Sequence, residues 1–182
     1  MTVAPEFPRP YRLGNEPKTL ELVATPAECA ALARRFAIPG IGSFKAALTL
    51  TAENGGTVRA RGRIRAAVTQ ECIVTLDPVD QRVDAAVDLR ILPDGVPPTD
   101  DDPDSPDEIE SAGGFIDLGE AMAEQLALAL DPYPRHPEAT LPAELAASGL
   151  DAEAPAAQRA AEPLPGDSRP NPFAALARLK RE

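Results

Sequence analysis

The chain has no tryptophan, one histidine, two cysteines, two tyrosines and five phenylalanines in 182 residues. A single histidine excludes a multi-histidine metal centre. The cysteines, Cys29 and Cys72, match no zinc-ligand spacing and read as free thiols in a reducing compartment. Scarce aromatics leave no strand with the interleaved rings on which RNA-binding sheets stack bases. No apolar run approaches the roughly 20 residues of a membrane-spanning helix. The opening MTVAPEFPRP lacks the charged and apolar regions of a secretory signal, so a cytoplasmic protein is expected. A nucleophile elbow, a phosphate loop and a dinucleotide fingerprint are also missing. His136 sits on a proline-rich stretch with no identifiable partner, so no catalytic residue, cofactor or small-molecule substrate is assigned and the protein is expected not to be an enzyme.

Charge is plentiful and unevenly placed. The formal net charge is -11, yet residues 1–75 carry ten Lys/Arg against six Asp/Glu, and residues 76–182 carry eight against twenty-three. The acidic total opposes non-specific binding to nucleic acid or to an anionic membrane, both of which need cationic surface. A local basic patch is still available. From Thr57 to Gln70 the chain reads TVRARGRIRAAVTQ, whose two-residue period sets Arg59, Arg61, Arg63 and Arg65 on one strand face and Val58, Ala60, Ile64, Ala66 and Val68 on the other.

The flanking sequence supplies the rest of a domain. Phe7 to Leu13 and Leu20 to Ala24 read as short extended pieces. Thr25-Pro26-Ala27-Glu28 is a capping box with a first-turn proline, which predicts a helix from Pro26 to Phe36 that buries Cys29, Leu32, Ala33 and Phe36. Alternation from Ile41 to Ala52 predicts a strand, and Asn54-Gly55-Gly56 a tight turn into the arginine strand. That strand is expected to run past Cys72 toward Leu76, with a bend or bulge at Gly62. After Asp77-Pro78, apolar Val79 to Ile91 alternate with Asp80, Arg82, Asp84, Asp88 and Arg90 in a third strand. Pairing would bring Asp84 and Asp88 opposite some of the arginines. The stripe is then either a set of ordinary cross-strand ion pairs on a solvated face or a binding surface.

Residues 93–114 hold eight acids and no base, the composition of a mobile acidic loop. Such a loop either solubilises the protein or docks on a basic partner. Asp117 and Glu120 then start a helix carrying Leu118, Met122, Leu126 and Ala129, which ends at Asp131-Pro132. Residues 137–170 read as an Ala/Pro/Glu-rich linker. The final NPFAALARLKRE predicts a short amphipathic helix over 171–182, with Phe173, Leu176 and Leu179 as partner anchors beside Arg178 and Lys180.

The order of VTQECIVTLDPV, the acidic stretch, IDLGEAMAEQLALALDPYPRHP and the terminal NPFAALARLKRE resembles the YceD family in its alphaproteobacterial form. The likeness spans a core at 15–135 and a signature at 171–181. It implies a part in accumulation of 23S ribosomal RNA, and the family's gene often lies beside that of ribosomal protein L32. Many members carry a Cys-x-x-Cys pair and are described as metal-binding. Here Cys72 matches the first cysteine while Thr75 stands at the second, and because a hydroxyl is a poor zinc ligand no metal site is carried over. The expectation is an α+β domain at 1–136. Its sheet is mainly antiparallel, open or barrel-like, with two packing helices. The expected role is a non-enzymatic factor in large-subunit assembly that binds rRNA through Arg59, Arg61, Arg63 and Arg65. The alternative is a protein-only escort for a basic ribosomal protein such as L32.

Overall fold

The computed structural model describes residues 5–98 and 105–140. Thr25 caps helix α1 (Pro26–Arg35): its hydroxyl accepts the Glu28 N–H while the Glu28 carboxylate accepts the Thr25 N–H. Cys29, Leu32 and Ala33 are its buried side. Phe36 closes the helix and Ala37 follows with φ 54°, the left-handed turn that commonly ends helices.

Beyond it lies a meander of three long strands, β3 (Gly40–Ala52), β4 (Val58–Glu71) and β5 (Pro78–Leu92), with β2 (Lys18–Val23) along the free edge of β3. All of these pair antiparallel. The β3–β4 connection needs positive φ, and Gly55 (76°) and Gly56 (84°) supply it. On the other edge β6 (Asp107–Glu110) pairs parallel to β5, so four residues of the acidic stretch are strand rather than loop. A separate two-stranded ribbon joins β1 (Pro10–Arg12) to β7 (Phe115–Asp117), which leads into helix α2 (Leu118–Ala129). The five-stranded order β2-β3-β4-β5-β6 leaves two distinct edges. The sheet is open and does not close into a barrel.

One face of this sheet builds the core. Phe44, Leu48, Leu50, Ile64, Leu89 and Ile91 meet Leu32 of α1 and Leu118, Met122 and Leu126 of α2 in one buried cluster. The Phe7 ring lies 5.4 Å from that of Phe44. Both helices therefore cover the same side, and no described element covers the opposite side.

Two expectations about β4 change. The strand stops at Glu71, because the Cys72 N–H bonds the Asp77 carbonyl and the Leu76 N–H bonds that of Cys72, which turns the chain at once into β5. The register irregularity falls between Ile41 and Ser43 in β3 and not at Gly62. Gly62 answers a different need: a Cβ there would lie 1.9 Å from the Ala47 carbonyl oxygen, so only glycine permits the β3 backbone to approach this closely.

The chain divides between Thr140 and Leu141, and every element above belongs to the first unit. The expected linker from 141 onward, the expected terminal helix with Phe173, Leu176, Arg178, Leu179 and Lys180, and residues 99–104 of the acidic stretch lie outside the described residues.

Candidate nucleic-acid interface

The four arginines stand on the solvent side of β4, the central strand of the sheet. Register fixes their neighbours: Arg65 lies between Lys45 and Asp84, Arg63 between Ala47 and Ala86, Arg61 between Thr49 and Asp88, and Arg59 between Thr51 and Arg90. Arg61, Arg63 and Arg65 have side chains 60%, 52% and 58% exposed, against 22% for Arg59. The three outer guanidinium groups can reach a partner, whereas Arg59 is largely enclosed by its acids.

Those acids divide the stripe. Asp88 accepts Nε and Nη2 of Arg59 at 2.7 and 2.8 Å and lies 3.5 Å from Nε of Arg61. Glu53 reaches Arg59 at 3.6 Å and Arg90 at 3.3 Å, and Arg90 meets Glu108 at 2.6 Å. At this end three arginines are matched by three carboxylates. At the other end Asp84 alone serves two, Arg63 at 2.7 Å and Arg65 at 3.4 Å. Hydrogen bonds from Arg59 and Arg63 hold the Asp88 and Asp84 carboxyls below their usual range, so both aspartates are ionised at neutral pH.

Two cations that the sequence analysis did not select join the underserved end. Among the described residues, Lys45, directly across from Arg65, and Arg82, across from Ala67, make no ion pair within 4.0 Å. They border a trough of about 450 Å³ lined by Ser43, Lys45, Arg65, Ala67, Arg82 and Asp84. The alternation around Phe44 and Val83 already placed both outward. What it could not show was that none of the described carboxylates would reach them.

A family model described as Large ribosomal RNA subunit accumulation protein YceD matches residues 60–180 of the 182. The chain belongs to the YceD family. The match begins inside the arginine strand, takes in β5, β6, β7 and α2, and continues through the region of Phe173 and Leu176. No curated protein and no solved structure matches the chain.

Within the YceD match, Cys72 has a definite environment. Its buried sulfur accepts the backbone N–H groups of Val74 (3.4 Å), Thr75 (3.5 Å) and His136 (3.4 Å). The His136 N–H, followed by the Thr75 hydroxyl, holds the thiol down at about 6, although burial acts in the opposite sense. Nearby, the Ile73 N–H bonds the Pro134 carbonyl at 2.9 Å and Gln70 Nε2 bonds that of Asp131 at 3.0 Å. These bonds stitch the end of the sheet to the segment leaving α2. Thr75 donates to the sulfur through both its N–H and its hydroxyl. The His136 ring accepts the Glu138 N–H at 3.3 Å. Among the described residues no group of three or more His, Cys, Asp or Glu is placed to hold a metal ion. One thiol already surrounded by N–H donors does not fit a metal centre.

Cys29 is buried in the core, and burial raises its pKa. Among the described residues no helix is long and apolar enough to cross a membrane.

Proposed function

We propose that this YceD family member supports accumulation of large-subunit ribosomal RNA as a non-enzymatic cytoplasmic factor, by laying the outer face of its sheet on rRNA phosphates. The observation that carries the reading is the exposed arginine stripe, on the sheet face that neither described helix covers, in a chain whose family is named for that RNA. Surface ion pairs contribute only about 0–1 kcal/mol each, so a phosphate can displace Asp84 at small cost. Arg63 bonds its acid through Nε, which leaves other guanidinium donors for an incoming oxygen. With no aromatic side chain among the four arginines, binding is expected to follow the backbone, to tolerate sequence changes and to weaken steeply with salt.

Fluorescence anisotropy with 23S rRNA fragments across a salt series tests this. Arg61→Glu with Arg63→Glu is expected to abolish binding. Retained affinity in that double variant would sink the stripe as the RNA surface.

A second reading is favoured by the eight acids between Asp94 and Glu110. In it the protein escorts a basic ribosomal protein such as L32, with Phe173, Leu176 and Leu179 anchoring the contact and Arg178 and Lys180 flanking it. Changing Asp100, Asp101 and Asp102 to Asn should then weaken binding to purified L32 while leaving RNA affinity unaltered.

A further inference from the structure

We infer that the phosphate seat of the sheet is not the centre of the arginine stripe but a triad of Lys45, Arg65 and Arg82, which spans β3, β4 and β5 around the Ser43–Ala67 trough. The inference rests on the RNA reading above and names where on the face the backbone is gripped. Lys45 and Arg65 are direct cross-strand neighbours, and like charges in that position repel each other in the free protein. The acid next to Arg65, Asp84, is engaged at 2.7 Å by Arg63 and sits 3.4 Å from Arg65. Arg82 lies diagonal to Arg65, because it pairs with Ala67 two residues along.

Two flanking carboxylates, Glu21 and Asp80, reduce this excess, but neither comes within 4.0 Å of Lys45 or Arg82. Glu21 lies across from Ala47 in the row of Arg63, and Asp80 accepts the Thr69 hydroxyl at 2.7 Å. An anion placed among the triad relieves the repulsion. By contrast, an anion at Arg59 and Arg61 must displace Asp88, which Arg59 holds through two bonds.

The shape of the trough fits the same ligand. The irregularity between Ile41 and Ser43 leaves both Gly42 and Ser43 exposed, and Ala67 opposite them is small, so an incoming group can descend to backbone level between the three cations. The Ser43 hydroxyl adds a neutral donor at the floor. No ring lines the trough, which suits a phosphodiester rather than a base.

The test compares full-length wild type with two double variants, Lys45→Ala/Arg82→Ala and Arg59→Ala/Arg61→Ala, each checked for an unchanged circular dichroism spectrum. Against a 23S rRNA fragment, loss of Lys45 and Arg82 is expected to lower affinity about tenfold or more. The log–log salt slope should become shallower by about 1.4–1.8, the loss of two phosphate contacts. The Arg59/Arg61 variant should lose less than about threefold in the same assay. The reverse ranking overturns the triad while leaving RNA binding by the face intact.

Titration of the 15N-labelled chain with inorganic pyrophosphate at low salt forms an independent arm. Amide shifts centred on Ser43, Lys45, Arg65, Ala67 and Arg82, lost in Lys45→Ala/Arg82→Ala, support the seat. Shifts centred elsewhere, or none, overturn it. If the wild type binds pyrophosphate at the triad but no rRNA fragment, the seat stands and the RNA reading fails.

Discussion

Gly62 is the position where one atom decides most. A methyl group there would sit 1.9 Å from the Ala47 carbonyl oxygen, and the β3 backbone at Ala47 and Leu48 would have to move to admit it. Gly62→Ala is expected to destabilise the protein on the order of 3 kcal/mol in urea unfolding. Gly40→Ala, where a Cβ meets nothing within 4 Å and φ is not positive, should change stability little. The second informative residue is Cys72. Its thiol is held at about 6 in the folded protein against an ordinary 9.0. Between those values the unfolded chain binds a proton that the folded one does not, so stability rises with pH from about 6 to 9 and is lost as pH falls through 6. Thiolate absorbance should titrate near pH 6, and Cys72→Ser should remove both that step and the rise in stability between about pH 6 and 9. Cys29, raised by burial, should stay protonated throughout that transition.

The start of α1 is held by a small network in which each part supports another. Arg9 forks onto both Glu28 oxygens at 2.8 and 3.1 Å, while Glu28 completes the capping box with Thr25. The Arg9 hydrogen bonds hold the Glu28 carboxyl down to about 2 from its usual 4.5. The stability this contributes is complete above about pH 4.5 and is lost as pH falls toward 2. Thr25→Ala should cost about 1 kcal/mol, measured by thermal unfolding at neutral pH. Glu28→Gln should flatten the acid limb of the stability profile over pH 2–4.5. The helix is also tied to α2, because Arg35 meets Glu120 at 2.6 Å at the protein surface.

The distribution of charge separates two parts of the protein. The exposed sheet face is cationic at the end of Arg63, Arg65, Lys45 and Arg82, although the full chain carries -11. All described elements belong to the unit that ends at Thr140. Removal of residues 171–182 should therefore leave the thermal midpoint and the RNA affinity as they are. If the terminal anchors make the protein contact, the same deletion should lower affinity for a ribosomal protein. Calorimetry and anisotropy on the deletion and on Phe173→Ala check the two effects separately.

By itself the sequence determined what local rules govern. The capping box at Thr25 marked the first residue of α1, Asn54-Gly55-Gly56 marked the tight turn, and alternation set the inward and outward faces of β3, β4 and β5. Each signal lies within a few residues of the structure it specifies. Tertiary structure decided the rest. Parallel pairing of Asp107–Glu110 with β5 could not be read from a segment rich in acids, because its partner strand lies some fifteen residues earlier in the chain. The division of the basic face was equally hidden. Four arginines and two aspartates are compatible with several pairings, and the register that sets Asp88 beside Arg61 and Asp84 beside Arg65 follows from how two whole strands align. Shifting that alignment by two residues would leave every side chain on its own face and redistribute every ion pair. Local pattern therefore gives the sign of the surface, whereas only the assembled sheet leaves Lys45 and Arg82 without a carboxylate partner among the described residues.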